Sequence, residues 1–106
     1  MSHEIVQAVY RAKPGREADL SALIDEHGPA LRAEGLVTDR PFVVMRSRDG
    51  RTFVEIFEWV SRDAACEAHG NARIGPLWGR MGEVAEFLTL ADLAESTQTF
   101  PHFTPV

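Results

Sequence analysis

Arg40-Pro41-Phe42-Val43-Val44-Met45-Arg46-Ser47-Arg48-Asp49-Gly50-Arg51-Thr52-Phe53-Val54-Glu55-Ile56-Phe57-Glu58-Trp59-Val60 decides the fold. Two runs rich in β-branched and aromatic residues, Arg40 to Arg48 and Arg51 to Val60, flank Asp49-Gly50. That dipeptide is a strong hairpin signal because both residues tolerate positive φ. With Arg48 opposite Arg51, Arg46 faces Phe53, Val44 faces Glu55 and Phe42 faces Phe57, and period-2 alternation adds Trp59 to that side. A four-residue loop gives the same pairing. The opposite side carries Val43, Met45, Val54 and Ile56. Both faces of the hairpin are therefore apolar, whereas an antiparallel sheet with one solvated face alternates apolar and polar residues.

Upstream, Ile5 to Tyr10 reads as a strand closed by the turn Lys13-Pro14-Gly15. From Arg16 to Leu31 the residues Leu20, Leu23, Ile24 and Leu31 recur at helical spacing, and His27 falls on the same stripe. Gly28-Pro29 predicts a kink, or a short second segment ending at Glu34-Gly35. Downstream, Ser61 is placed to cap a second helix, with Asp63 in its first turn and Ala65, Ala68, His69 and Ala72 as a narrow inner stripe. Gly75-Pro76 is expected to break it before a helical segment from Leu77 to about Ala85. A last strand is expected over Glu86 to Asp92, and the proline-containing stretch Phe100 to Pro105 cannot continue a sheet interior. The result is an α+β chain of β-α-β-β-α-β order: a four-stranded antiparallel sheet with two kinked helices on one face, residues 1–95, and a C-terminal tail, 96–106.

Such helices cover one sheet face, so the second apolar face needs a cover. A second copy of the same sheet supplies one by two-fold symmetry, which predicts a homodimer in which Val43, Met45, Val54 and Ile56 meet the partner. The alternative is that the tail from Phe100 to Val106 folds back over that face.

At 106 residues the chain is the size of one domain. A net charge of -5 argues against a nucleic-acid partner, so Arg46, Arg48 and Arg51 read as a solvated hairpin tip. Cys66 has no second cysteine to pair with, and no Cys/His spacing suggests a metal site. The start of the chain lacks a signal-peptide pattern, and no run approaches the roughly 20 apolar residues that span a bilayer. A cytoplasmic protein without membrane association is the expectation.

The element order, the Lys-Pro-Gly turn at 13–15, and the stretch Glu58-Trp59-Val60-Ser61-Arg62-Asp63-Ala64-Ala65-Cys66-Glu67-Ala68-His69 resemble the antibiotic biosynthesis monooxygenase family of the dimeric α+β barrel superfamily. The most telling part is a Trp at the end of the third strand with a His ten residues later. The resemblance covers roughly residues 4 to 92. It implies a ferredoxin-like fold, a dimer with facing sheets, and a cavity in each subunit between sheet and helices. Many such proteins are cofactor-independent oxygenases of quinols or polycyclic phenols, some bind and degrade haem, and others have no known activity.

His69 is the candidate catalytic base: a group titrating near neutrality can take a phenolic proton, and the resulting anion is able to react with oxygen without metal or flavin. Trp59, Trp78, Phe57 and Phe53 are candidate walls for a small aromatic ligand. Glu55 stands on an otherwise aromatic face, where a carboxylate costs several kcal/mol unless paired or protonated, and Arg46 or a ligand group is the expected partner. Gln7 and His27 are further inward-facing candidates, and Arg73 is a candidate for holding an anionic group. No cofactor is expected. Haem is the alternative, since Trp59 and His69 match two positions of the haem-degrading relatives, while Gln7 stands where those have Asn. A non-catalytic ligand-binding or stress-response protein is a further alternative.

Overall fold

The computed structural model describes residues 2–106. Strands β1 (Glu4–Ala12), β2 (Val43–Arg46), β3 (Thr52–Trp59), β4 (Ala85–Leu88) and β5 (Thr104–Pro105) form one antiparallel sheet in the order β4-β1-β3-β2-β5. Helices α1 (Glu17–Ala33), α2 (Arg62–His69) and α3 (Ile74–Val84) pack against one face, where Leu20, Leu31, Phe53, Ile74 and Met81 form the centre of the core. This is the ferredoxin-like α+β class that the hairpin and its flanks predict.

The β2–β3 register pairs Val44 with Glu55 and Arg46 with Phe53, as the alternation requires. The loop is the longer of the two alternatives. Among the described residues no non-glycine residue has positive φ, so Asp49 does not take the left-handed position a two-residue turn demands. Instead the Ser47 N–H donates to the Thr52 carbonyl at 2.8 Å, closing a four-residue loop in which Gly50 adopts φ +75°. The Asp49 carboxylate accepts from the Arg51 and Thr52 N–H groups at 2.8 and 2.9 Å and so braces the loop from inside.

Helix α1 runs unbroken through Pro29 to Ala33, without the separate segment expected after Gly28. Gly28 is buried with the Phe42 ring 3.5 Å from the position a Cβ would take, and Ala30 and Leu31 just beyond are buried too. Tertiary packing thus outweighs the one hydrogen bond that proline removes. The Ser61 hydroxyl accepts from the Ala64 N–H at 3.2 Å, as expected of a cap. The break between α2 and α3 falls at Gly70 rather than at Gly75-Pro76, which lie in the first turn of α3, where proline has no bond to lose. Asn71 Oδ1 accepts from the Arg73 and Ile74 N–H groups at 2.8 and 3.0 Å and turns the chain there.

The last strand of the crossover stops at Leu88 instead of Asp92. Thr89 and Asp92 bond reciprocally and direct the chain into two short 3-10 helices, Leu90–Asp92 and Ala94–Thr97. The tail then returns to the sheet and pairs Thr104 with Arg46, so the sheet has five strands rather than four. On the way Leu93 and Phe103 pack over Val9, Val54, Met45 and Ile56. Val54 is thus covered within the chain, while Val43 and Ile5 on the same outer face remain 52% and 56% exposed. No described helix is long and apolar enough to cross a membrane.

Candidate functional site

Pairing of β1 with β3 settles which β1 side chains look toward the helices. Val6 lies opposite Phe57, Ala8 opposite Glu55 and Tyr10 opposite Phe53, so the even-numbered residues share the inner face. A cavity of about 280 Å³ opens there. The sheet contributes Val6, Tyr10, Phe57 and Trp59, with Phe87 from β4; the helices contribute His27, His69 and Trp78. Aromatic rings meet edge to face around it, with Tyr10 against Phe87 at 5.6 Å and His69 against Trp78 at 4.9 Å between centroids.

Behind this wall runs a chain of hydrogen bonds contributed by four elements. The Trp78 indole N–H donates to His27 Nε2 at 2.8 Å, His27 Nδ1 lies 2.8 Å from Glu55 Oε1, and the Tyr10 hydroxyl donates to the same oxygen at 2.8 Å. The indole N–H is a donor only, so His27 Nε2 must be the bare, accepting nitrogen. The ring proton is therefore on Nδ1, and His27 donates it to Glu55. Burial, reinforced by the neighbouring Glu55 carboxylate, holds the Tyr10 hydroxyl protonated well above the usual tyrosine range. Glu55 is fully buried, and its Oε2 meets no donor among the described residues.

The residues singled out from the sequence divide into three groups. Trp59, Trp78, Phe57, His27 and His69 come together around the cavity, with Glu55 one bond behind it. Phe53 is fully buried but lies in the packed core under the Arg46 guanidinium, 4.8 Å from its ring centroid. Gln7 and Arg73 are not brought in. Gln7 pairs with Ile56 and faces outward, because inward-facing β1 positions are the even ones. Arg73 is on the surface, its Nη1 4.0 Å from Glu34 Oε2. The expected Arg46–Glu55 pair does not form either: Arg46 lies along Phe53, and Tyr10 and His27 take the carboxylate instead. Tyr10 was not among the residues the sequence points to. Its one signal is its place, an aromatic residue at the end of the first apolar run.

Haem does not fit this arrangement. Gln7 lies on the far face of the sheet, and among the described residues no Lys or Arg lines the cavity to receive propionates. The described residues also contain no cluster of three His, Cys, Asp or Glu able to hold a metal ion.

The architecture defines the chain as a ferredoxin-like α+β domain, and solved structures place it more closely. It is similar to Rv0793 from Mycobacterium tuberculosis, with 26% identity and a TM-score of 0.65 over 88% of this chain and 99% of that one. A Bordetella bronchiseptica protein, named as a proposed antibiotic biosynthesis monooxygenase, aligns at 20% identity and a TM-score of 0.63 over 83% and 94% of the two chains. A Bacteroides thetaiotaomicron protein of unknown function, suggested to be an oxidoreductase, aligns at 16% and 0.66 over 82% and 92%. The chain thus has the fold carried by antibiotic biosynthesis monooxygenase-like proteins. No protein-family model matches it, and a search of curated protein sequences finds no relative.

Proposed function

We propose that the protein binds a small phenolic or quinol-like molecule in the cavity between sheet and helices and oxygenates it without a cofactor. The observation carrying this reading is the cavity itself: it is walled by Phe57, Trp59 and Trp78 and has the imidazole of His69 at an exposed rim. A cavity of about 150 Å³ already accepts benzene, so about 280 Å³ suits a one- or two-ring aromatic. His69 takes a proton from the ligand hydroxyl, and the electron-rich anion reacts with oxygen. For a hydroquinone the balance closes without another reductant: quinol and O₂ give hydroxyquinone and water, the substrate supplying every electron that reduces oxygen.

Oxygen uptake with a panel of hydroquinones tests this. A positioned base contributes about 10²–10⁴-fold, so His69→Ala should lower the rate by that order. Absence of uptake by wild type, or equal uptake after the substitution, counts against the enzyme. The binding-only reading is favoured by one observation: among the described residues His69 is held by the Trp78 ring edge and not by a hydrogen bond. Quenching of tryptophan fluorescence by the same compounds without oxygen uptake would decide for it.

Self-association belongs to the same proposal. The tail covers Met45 and Val54, so a partner copy would pack on what remains of the outer face, Ile5, Val43 and Leu90, all about half exposed. Light scattering that reports a monomer at micromolar concentration would overturn this.

A further inference from the structure

Glu55 has no part in the reaction just described, yet it is the most deeply placed charge-bearing group beside the cavity. Its Oε1 accepts two hydrogen bonds and its Oε2 none among the described residues, with no exposure to solvent. A core carboxylate half unsatisfied is a costly arrangement that calls for a reason. The hydroxyl it holds, that of Tyr10, belongs to a ring that lines the cavity. A single O–H group therefore connects the cavity wall with the buried carboxylate across 2.8 Å. Tyr10 remains a neutral phenol under these conditions, and such a hydroxyl can accept one hydrogen bond while donating another.

We propose that Tyr10 and Glu55 form a proton relay that ionises a phenolic ligand from inside the cavity, an inference that rests on the aromatic-ligand reading above. The ligand O–H donates to Tyr10 Oη while the Tyr10 proton passes to Glu55. Two O–H bonds break, on the ligand and on Tyr10, and two form, on Tyr10 and on Glu55. No electron is transferred and no proton leaves the protein. The negative charge moves from the carboxylate to the ligand oxygen, the atom that must carry it before oxygen can react. Tyr10 ends unchanged, now donating to the phenolate. His27 is a positioning residue: Trp78 fixes its tautomer, and its Nδ1–H holds the carboxylate in place. With His69 at the rim and Tyr10 in the interior, the site suits an aromatic with two hydroxyls, one for each.

The probe is 4-nitrophenol, whose phenolate absorbs visible light, at a pH where the free compound is mostly protonated. Binding is read from quenching of Trp59 and Trp78 fluorescence, ionisation from the visible band. Wild type should bind the probe as the phenolate. Glu55→Gln keeps an amide oxygen to accept from Tyr10 and His27, so it should still quench but lose the band. Tyr10→Phe should behave in the same way. A band of equal strength in both variants, or one lost in His69→Ala alone, overturns the relay. Quenching without a band in wild type overturns the relay and leaves the ligand reading standing, whereas absence of quenching removes both.

Discussion

The two faces of the sheet are both apolar, yet they are covered by different means. On the inner face three helices bury aromatic residues around a hydrogen-bonded chain of Tyr10, Glu55, His27 and Trp78, leaving a cavity. On the outer face a tail of short turns lays Leu93 and Phe103 over Val9 and Val54, and it is tied down by the carboxylate of Glu95 and by the pairing of β5 with β2. The Glu95 carboxylate is buried and accepts from the Ser47 hydroxyl at 2.7 and 2.8 Å and from the Arg48 N–H at 3.1 Å. The inner face thus has a layer with a gap in it, and the outer face a strap. A gap bounded by fixed donors and acceptors selects a ligand; a strap that buries only a small apolar cluster is an element that opens locally.

This contrast can be broken from either side. The largest effect belongs to Phe53→Ala, which empties the centre of the inner core and should cost about 3–5 kcal/mol in urea denaturation. Leu93→Ala on the outer face should cost less, about 2 kcal/mol, because its small cluster can relax toward solvent; aromatic-ligand binding should be unchanged. A cost equal to that of Phe53→Ala would show that the strap belongs to the main core. Trp78→Phe keeps a ring in the cavity wall but leaves His27 Nε2 without its donor, a loss of about 1–3 kcal/mol in the same assay.

The smallest effect is the sharpest in pH. The Ser47 hydroxyl bond, outweighing the opposite pull of burial, lowers the Glu95 pKa below its ordinary 4.5. A carboxyl held low in the folded state stabilises above its unfolded value and loses that contribution as the pH falls through its folded value. Glu95→Gln should therefore lower the melting temperature at neutral pH, and the difference from wild type should close in acid below about 4.5. A gap that stays constant down to acid pH would show that the carboxylate charge does not hold the strap.

Much of this was legible in the sequence, for reasons that also mark where legibility ended. The Asp49-Gly50 hairpin joins neighbouring strands through a local turn, so one assumption about the loop fixed every pair from Arg46–Phe53 to Val44–Glu55. No local turn joins β1 to β3. Their register is set by the crossover and the packed core, and a shift of one residue exchanges Gln7 for Ala8 on the inner face. For that reason the sequence alone points Gln7 inward, and nothing local marks Tyr10 as the residue that meets Glu55. His27 was legible as a stripe residue of α1, but its tie to Trp78 joins two helices distant in sequence, and neither carries a pattern announcing the other. The strap was the least legible part: isolated apolar residues such as Leu93 and Phe103 in irregular backbone have no period to read.

The tail's return to β2 has a consequence for solubility. A sheet edge with free N–H and C=O groups is a template for further strands and, in the end, for fibrils. At one edge this sheet offers β5, two residues long and ending in Pro105, which has no N–H to give. At the other it offers β4, four residues long, after which Thr89 and Asp92 turn the chain away. Both edges are therefore poor templates for growth by strand addition.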